Sequence, residues 1–416
     1  MRRGSFQRLR AQSLFRRLLA AAFALLFLTA GRPPAARITL GDEVFLQSAW
    51  HDLQGRCVGI ITNQTGVTSR LVNIVDAVKA NGGICVKAIY SPEHGLRGDR
   101  PAGAYVSSYV DQRTGLPVYS LYGPQRHPTA QMLAGVDVLL FDIQDVGARP
   151  YTFVSTMAYA MEAAKQYGKE IWVLDRPNPI GGEMVEGPVL DPRFKSFIGL
   201  YPIAMRHGMT VGELAEMFNS EFGIGAKLRV IKMIGWRRSM LWPDTGLQWV
   251  QTSPNIPEWS TTVVYPCTGL VDSFGLNGGV GTTKPFKYTG AQNLDAYRLA
   301  AVLNERDIPG VYFRPAYWSP FFGDLKDKQI AGVELDVYNP RVFPSVLTAV
   351  EILTAVRDIA PNVERPLGTR QQDTDWGTDT LWKGLQAGLG AAAIEQQWQP
   401  ALDHFKALRS KYLLYN

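Results

Sequence analysis

The chain has few of the residues that build metal centres and disulfide frameworks. Its 416 residues include three cysteines and five histidines, and neither type shows the spacing of a zinc site. Cys57 and Cys85 each begin a short apolar run, so we expect both to be small buried residues that form no disulfide with each other. The sequence therefore predicts no metal site.

The glycine-rich fingerprints of nucleotide-binding proteins are also absent. No G-x-G-x-x-G follows the first predicted strand, and no G-x-x-x-x-G-K-[ST] occurs anywhere in the chain. The glycine-rich stretch 278–284 has neither spacing. We therefore predict that the protein uses no cofactor and that its chemistry is not redox chemistry.

Acidic residues are absent from the first 31 residues, which carry six arginines. Subtracting these six charges from the net charge of +6 leaves a nearly neutral remainder, so we expect no nucleic-acid partner. The apolar run from Leu18 to Ala30 is too short to span a bilayer and is followed by small residues and prolines. We predict that residues 1–31 are a signal peptide, that the protein is exported to the periplasm or beyond, and that no stable membrane anchor remains.

Short apolar runs alternate with helix-like segments in the first half of the chain. The strand-like runs are 57–61, 85–90, 118–122, 136–141, 171–174 and 228–231, and the helix-like segments are 71–80, 153–167 and 210–222. Thr210 and Glu213 have the spacing of a capping box at the start of the last helix. Strands that alternate with helices form parallel sheets, so the sequence predicts a Rossmann-like, doubly wound α/β fold without the dinucleotide motif.

The second half of the chain has a different pattern. Residues 236–288 are rich in glycine, proline, tryptophan and threonine without clear periodicity, which predicts long loops near a domain boundary. Beyond them, helical patterns cover 293–304, 344–359 and 379–389, with aromatic strand-like segments between. We therefore predict a Rossmann-like domain over residues 38–265 and a smaller C-terminal α/β domain over residues 285–416.

Unusual polar residues follow several of the predicted strands. The loops that contain them are 62–66, 91–98, 142–149 and 175–188. Ligands of open α/β sheets bind beyond the carboxyl ends of the strands, so these loops predict one shared cleft. Turn chemistry explains the Asn, Asp, Gly and Pro of any single loop. It does not explain Glu93, Asp145, Arg149 and Arg176, which are not turn formers.

Carboxylates and aromatic rings in these regions suit the chemistry of sugars. Glycoside hydrolysis needs one acid to protonate the leaving oxygen and a second carboxylate as base or nucleophile. Glu93, beside His94 and Arg97, suits either role, and Glu183 and Glu186 on another loop can face it. Aromatic candidates for packing on a sugar ring are Tyr122, Tyr151, Trp242, Trp249 and Trp259, although core packing is the simpler explanation for each one alone.

Five sequence motifs occur in a fixed order along the chain. They are SPEHGLRG at 91–98, DIQDVGAR at 142–149 followed by Tyr151-Thr152, DRPNP at 175–179 followed by Gly181-Gly182, VEGP at 185–188 and HGMTVGEL at 207–214. Together they resemble the motifs of the NamZ/YbbC-like exo-β-N-acetylmuramidases, glycoside hydrolases of peptidoglycan recycling in the cell wall. The resemblance extends from about residue 38 to residue 416.

The resemblance implies a catalytic Rossmann-like domain and a smaller C-terminal domain that completes the active-site cleft. The implied activity is release of N-acetylmuramic acid from the non-reducing end of peptidoglycan-derived chains. Glu93 is the first catalytic candidate, and its partner is Glu186, Glu183 or Asp145. The candidate substrate-binding residues are Asn63, His94, Arg97, Arg149, Tyr151, Arg176, Asn178, His207 and Asn255.

Muramic acid differs from glucosamine by a lactyl ether that carries a carboxylate, so a selective site needs a cation. The planar guanidinium of arginine suits this group, and we expect Arg97, Arg149 or Arg176 to face it. The alternative is that these arginines only hold loops in place. In that case they would pair with the neighbouring acids Asp99, Asp145 and Asp175.

One stretch departs from the family pattern and leaves two other functions open. Asp272 stands where the pattern has a glutamate, and Val280 stands where it has an arginine. Val280 favours an exported protein that binds muropeptides or sugars in the same cleft without catalysis. The third hypothesis is a metal-assisted hydrolase that uses Asp142, Asp145 and His94. The sequence does not determine the oligomeric state.

Overall fold

The computed structural model describes residues 38–363 and 367–416, so the predicted signal peptide lies outside the described residues. A seven-stranded sheet forms the centre of the larger unit, in the order β3-β4-β2-β1-β5-β6-β9. Its strands are β1 Cys57–Thr62, β2 Cys85–Ser91, β3 Tyr109–Val110, β4 Pro117–Ser120, β5 Val138–Asp142, β6 Glu170–Leu174 and β9 Lys227–Ile231. Every neighbouring pair is parallel except β3 with β4.

Helices cover both faces of this sheet. The helices of the larger unit are α1 Gly41–Gln47, α2 Ile74–Ala80, α3 Phe153–Gln166 and α4 Val211–Glu221. In β1, Ile60 packs with Phe45 of α1 on one face, whereas Ile61 packs in the cluster of Met157 on the other. Apolar side chains on both faces of a strand require helices on both sides. The doubly wound α/β prediction is confirmed.

The chain reverses direction across the sheet between β1 and β5. From β1 the chain adds β2 and then β4 toward one edge, and from β5 it adds β6 and then β9 toward the other. Such a reversal is a topological switch point, where the loops after the two central strands separate and leave a crevice for ligands. Asn63 follows β1 and Asp145 lies in the loop after β5, so both belong to this crevice.

A second, smaller unit follows. It has the antiparallel strands β10 Tyr288–Ala291, β11 Val311–Trp318 and β12 Ile330–Val337, in the order β10-β12-β11. Its helices are α6 Ala296–Glu305, α7 Ser345–Ile359, α8 Arg370–Trp376, α9 Thr380–Gln386 and α10 Ala391–Arg409. Leu299 of α6 and Val333 of β12 belong to the same apolar cluster as Met157 of the larger unit. The boundaries 38–265 and 285–416 stay a prediction.

The predicted long loops of 236–288 contain an unexpected helix, α5, at Trp259–Thr268. Seven of its ten residues are buried, so the helix has no polar stripe and leaves no periodic signal. Two short strands, β7 Glu186–Val189 and β8 Ala204–Arg206, also occur where only loops were predicted. The capping box at Thr210 and Glu213 is confirmed, with reciprocal bonds of 3.2 and 3.0 Å.

Cys57 and Cys85 form a disulfide, so the expectation of two separate thiols is wrong. They are register partners at the first residues of β1 and β2, with Cα atoms 4.4 Å apart. The sequence alone did not show which strands are neighbours, and only that pairing brings the two sulfurs together. Cys267 is a buried free cysteine. None of the helices between residues 38 and 416 that the structure describes combines the length and apolarity needed to cross a membrane.

Candidate functional site

Glu93 lies in the loop after β2, and only 8% of its surface is exposed. Thr152 Oγ1 donates to Glu93 Oε2 at 2.7 Å, and the amide of Gly103 donates to Oε1 at 2.9 Å. The hydroxyl of Tyr122 lies near this carboxylate, and burial followed by the charge of Glu93 raises the pKa of Tyr122 to about 12. Three segments of the chain therefore meet at one buried carboxylate.

The residue after Glu93 forces a tight turn. His94 has a φ of 70°, in the left-handed region that a non-glycine residue rarely adopts. Its ring Nδ1 lies 2.8 Å from the carbonyl oxygen of Arg100, which fixes the ring within the loop. His94 therefore shapes the turn that presents Glu93. Its role as a substrate ligand stays a prediction.

Asp145 is a second buried carboxylate, in the loop after β5. The amide of Gly147 donates to its Oδ2 at 2.7 Å. Its Oδ1 is buried and accepts no hydrogen bond from the residues that the structure describes. Burial raises the pKa of Asp145 to about 7, so a large fraction of the molecules holds a proton on this group at neutral pH.

Two tyrosines lie close to both carboxylates. Burial, and to a lesser extent the charges of Asp145 and Glu93, raise the pKa of Tyr151, and the same two carboxylates act on Tyr265 of α5. The rings of Tyr151 and Tyr265 meet edge to face, with centroids 5.7 Å apart. Tyr151 also donates to Thr252 Oγ1 at 2.8 Å. Glu93 and Asp145 therefore share one neighbourhood of buried tyrosines.

The loop after β1 joins this neighbourhood. Asn63 Oδ1 accepts bonds from the amide and hydroxyl of Thr65 at 2.9 and 2.6 Å, and Thr65 Oγ1 accepts from the amide of Gln144 at 2.9 Å. The Nδ2 of Asn63 is buried and has no partner in residues 38–363 and 367–416. Gln64 donates to the carbonyl oxygen of Thr252 at 3.1 Å. The predicted ligand Asn255 is half-buried in the same 251–256 segment.

The other two carboxylate candidates lie elsewhere. Glu186 in β7 accepts bonds from Arg206 at 2.9 Å and from Ser345 and the amide of Val346 at 3.2 and 3.0 Å, at the start of α7. A carboxylate at a helix N-terminus stabilises that helix. Glu183 is exposed. Asp145 is the candidate that shares neighbours with Glu93, since both carboxylates act on Tyr151 and Tyr265.

The three arginines expected near the lactyl group have internal partners. Arg149 is buried and donates to the carbonyl oxygens of Pro188 and Asp375 at 3.1 and 3.2 Å, and burial lowers its pKa to about 9. Arg176 is buried between Asp42 and Asp142, at 2.9 and 2.5 Å, and half-exposed Arg97 pairs with Asp111 at 2.6 Å. These contacts favour the loop-holding alternative. The acids expected as partners, Asp99, Asp145 and Asp175, are not the ones used.

Asn178 and His207 brace two neighbouring loops. Asn178 Nδ2 donates to the carbonyl oxygen of Met209 at 3.0 Å, and His207 Nδ1 accepts from the amide of Met209 at 3.1 Å. Burial and the nearby charges of Arg409 and Arg206 lower the pKa of His207 to about 3, so its ring is neutral. Asn178 thereby connects the loop after β6 to the segment before α4, and His207 stabilises that segment from within. Their contact with substrate stays a prediction.

The metal-assisted hypothesis requires a set of metal-binding side chains, and the described part of the chain contains none. No group of three His, Cys, Asp or Glu side chains there is placed to hold a metal ion. Asp142 bonds to Arg176, whereas His94 faces the carbonyl oxygen of Arg100. The three proposed ligands, Asp142, Asp145 and His94, therefore have different partners.

The two departures from the family pattern line one open cavity of about 250 Å³. Asp272 and Val280 face it together with Phe286 and Phe322. Asp272 also lies close to the buried Asp375. Burial and the charge of Asp272 raise the pKa of Asp375 to about 7. The segment that follows α5 lines this cavity, and α5 itself carries Tyr265.

Sequence analysis assigned no role to three residues that shape the site. They are Thr152, Thr252 and Tyr265. Thr152 directly follows Tyr151 after the DIQDVGAR motif, so its position was a usable signal. Thr252 and Tyr265 lie in the stretch without periodicity and gave none.

Comparisons with known proteins agree with this architecture. A family model described as "Exo-beta-N-acetylmuramidase NamZ, N-terminal" matches residues 58–260, and its C-terminal counterpart matches residues 263–415. The peptidoglycan beta-N-acetylmuramidase NamZ of Bacillus subtilis (strain 168) is 43% identical over 387 residues, which cover 93% of each chain.

Two crystal structures of DUF1343 family proteins from Bacteroides fragilis NCTC 9343 have the same fold. The first has a TM-score of 0.86 at 37% identity and covers 92% of this chain and 100% of its own. The second has a TM-score of 0.73 at 28% identity, with 91% and 99% covered. Together with the two matching domain models, these likenesses show that the chain belongs to the exo-β-N-acetylmuramidase NamZ family.

Proposed function

We propose that the protein is an exo-acting glycoside hydrolase that releases N-acetylmuramic acid from the non-reducing end of peptidoglycan fragments. One observation carries the proposal. Two buried carboxylates, Glu93 and Asp145, lie near the same tyrosines beyond the carboxyl ends of the central strands. The similarity to a Bacillus subtilis enzyme named as a peptidoglycan beta-N-acetylmuramidase supports the substrate class.

The two carboxylates have surroundings that suit different roles. With a pKa of about 7 and one oxygen without a partner among the described residues, Asp145 can donate a proton to the leaving glycosidic oxygen. Glu93 accepts bonds from Thr152 and Gly103, which hold both of its oxygens in place. Glu93 then serves as the base or nucleophile of the pair.

Hydrolysis accounts for this site better than binding alone. Two buried carboxylates that share Tyr151 and Tyr265 as neighbours match the pair of acids that glycoside hydrolysis requires. Asp145, whose pKa burial raises to about 7, can supply the proton that hydrolysis of a glycosidic bond requires. The relative from Bacillus subtilis carries an enzyme name. These three points favour catalysis over the non-catalytic alternative.

The site of action that we propose is the periplasm or the extracellular space. The arginine-rich, acid-free first 31 residues with their apolar run support export. The disulfide between Cys57 and Cys85 also supports it, because such bonds persist in oxidising compartments and are rare in the cytosol.

Turnover of a chromogenic β-N-acetylmuramide, with and without a chelator, tests the proposed function. We expect hydrolysis that the chelator does not reduce. Tight binding of muropeptides without turnover would establish the binding-protein alternative. Activity that disappears with chelator and returns with added metal would establish the metal-assisted one.

A further inference from the structure

We propose that Arg126 recognises the lactyl carboxylate of the muramic acid residue, an inference that rests on the proposed function. Arg126 is half-buried in the loop after β4. Its guanidinium carbon lies 4.2 Å from the ring centroid of Phe197 and 6.0 Å from that of Tyr122. The loop that holds this arginine therefore also carries a tyrosine that lies near Glu93.

Arg126 has no acidic partner among the described residues, unlike two of the three arginines that the sequence suggested. No ion pair in residues 38–363 and 367–416 includes it, and its Nε is buried without a hydrogen-bond partner in those ranges. Arg97 and Arg176, in contrast, are bound to carboxylates of the chain. A half-buried guanidinium with unused donors can bind the carboxylate of a ligand by donating two parallel hydrogen bonds to it.

The nearest acid on α3 is already occupied. Glu162 accepts a bond from Tyr201 at 2.8 Å and lies 3.1 Å from the ring of His127. His127 in turn packs on Tyr159, with ring centroids 3.8 Å apart. These contacts hold Glu162 away from Arg126 and leave the guanidinium charge for another partner.

Aromatic rings fix the position of Arg126 in advance. Phe197 lies under its guanidinium and stacks on Tyr159 with centroids 5.8 Å apart. Tyr122 packs against Phe197 at 5.9 Å. Cation–π contacts of this kind hold an arginine in place without neutralising its charge. The guanidinium can therefore bind an anion without first breaking an ion pair.

Tyr122 neighbours both this cation and the catalytic carboxylate. Its hydroxyl lies near Glu93, and the guanidinium carbon of Arg126 is 6.0 Å from the centroid of its ring. Arg126 and Glu93 therefore share this tyrosine as a neighbour. In muramic acid, carbon 1 carries the bond that breaks, and the lactyl ether extends from carbon 3 across the sugar ring. A sugar with carbon 1 at Glu93 can therefore direct its lactyl carboxylate toward Arg126.

The test compares two substrates that differ only in the lactyl charge. We would measure kcat/KM for a chromogenic β-N-acetylmuramide and for its lactyl methyl ester. We expect Arg126→Ala to lose about 10- to 100-fold on the acid and little on the ester, since only the acid forms the charge-assisted bonds. Arg126→Lys, which keeps the charge but lacks the fork, should recover part of the preference.

Arg100→Ala is the matched control, because Arg100 is an exposed arginine of the loop after β2 that pairs only with Asp99, at 3.6 Å. We expect its preference for the acid to equal that of the parent. For variants with low turnover, inhibition by free N-acetylmuramic acid and by N-acetylglucosamine gives the same comparison. Arg126→Ala should weaken inhibition by the first sugar only.

Two results would overturn the inference about Arg126 while leaving the proposed function in place. The first is an equal loss of kcat/KM on the acid and the ester in Arg126→Ala, which means that Arg126 only supports its loop. The second is a preference for the acid that Arg126→Ala leaves unchanged. A parent protein that hydrolyses neither substrate and binds neither sugar would overturn both the proposed function and this inference.

Discussion

Thr152 donates a hydrogen bond of 2.7 Å to Glu93 and so connects the start of α3 to the loop after β2. These two segments follow strands on opposite sides of β1. The bond therefore crosses the crevice of the topological switch point and fixes one oxygen of the carboxylate. The amide of Gly103 fixes the other.

Removing the hydroxyl of Thr152 tests whether it positions Glu93. We expect Thr152→Val to lower kcat by about tenfold with little change in KM, because a hydrogen bond to a charged group is lost while the side-chain shape is kept. Thr152→Ser retains the hydroxyl and should recover most of the activity. Steady-state kinetics of the three proteins on one chromogenic substrate measures both effects. A larger loss in the serine variant than in the valine variant would refute the positioning role.

The pKa of Asp145 predicts how activity depends on pH. Asp145 is active as a proton donor only below its pKa of about 7, so kcat/KM should fall as the pH rises above that value. Asp145→Asn removes the donor and should lower the rate by about 10²- to 10⁴-fold at pH 6. It should also remove the fall in rate at high pH. If the alkaline limb survives in the variant, another group supplies the proton.

Loss of the disulfide should destabilise the protein. Cys57 and Cys85 are 28 residues apart, and a cross-link over a loop of this length stabilises a fold by about 3 kcal/mol. We expect the Cys57→Ser, Cys85→Ser double variant to have a lower melting temperature than the parent. Reductant should lower the melting temperature of the parent and leave that of the double variant unchanged. A parent protein indifferent to reductant and equal to the variant would show that the bond does not form.

Export predicts the N-terminus of the mature protein. If residues 1–31 are removed as a signal peptide, mass spectrometry of protein from the native host should find chains that begin near residue 32, outside the cytoplasm. Full-length protein with Met1 intact, recovered from the cytosol, would contradict export.

The central sheet was predictable because its strands are short apolar runs between turn-forming loops. Helix α5 was not, because a helix buried almost all round has no polar stripe to reveal its period. The strands β7 and β8 have only four and three residues, too few for an alternating pattern to stand out. The disulfide depended on the pairing of β1 with β2, which is a tertiary fact.

The carboxylates of the site were easier to anticipate than its arginines. Glu93 and Asp145 lie beyond strand ends, where the fold class places ligands. Sequence shows that Arg149 and Arg176 are near such ends but not whether their donors face the cleft or the interior. Their partners come from distant segments, such as Asp42 for Arg176. The position of Arg126 over Phe197, without an ion-pair partner among the described residues, is likewise visible only in three dimensions.

The most direct measurement compares kcat for Glu93→Gln and Glu183→Gln on a chromogenic β-N-acetylmuramide. Glu93 is buried and accepts hydrogen bonds from Thr152 and Gly103, whereas Glu183 is exposed. The account predicts that Glu93→Gln folds and loses at least about 10²- to 10⁴-fold, the usual contribution of positioned proton transfer, and that Glu183→Gln stays within a few-fold of the parent. Activity of Glu93→Gln within a few-fold of the parent would contradict the assignment of Glu93 as the catalytic carboxylate.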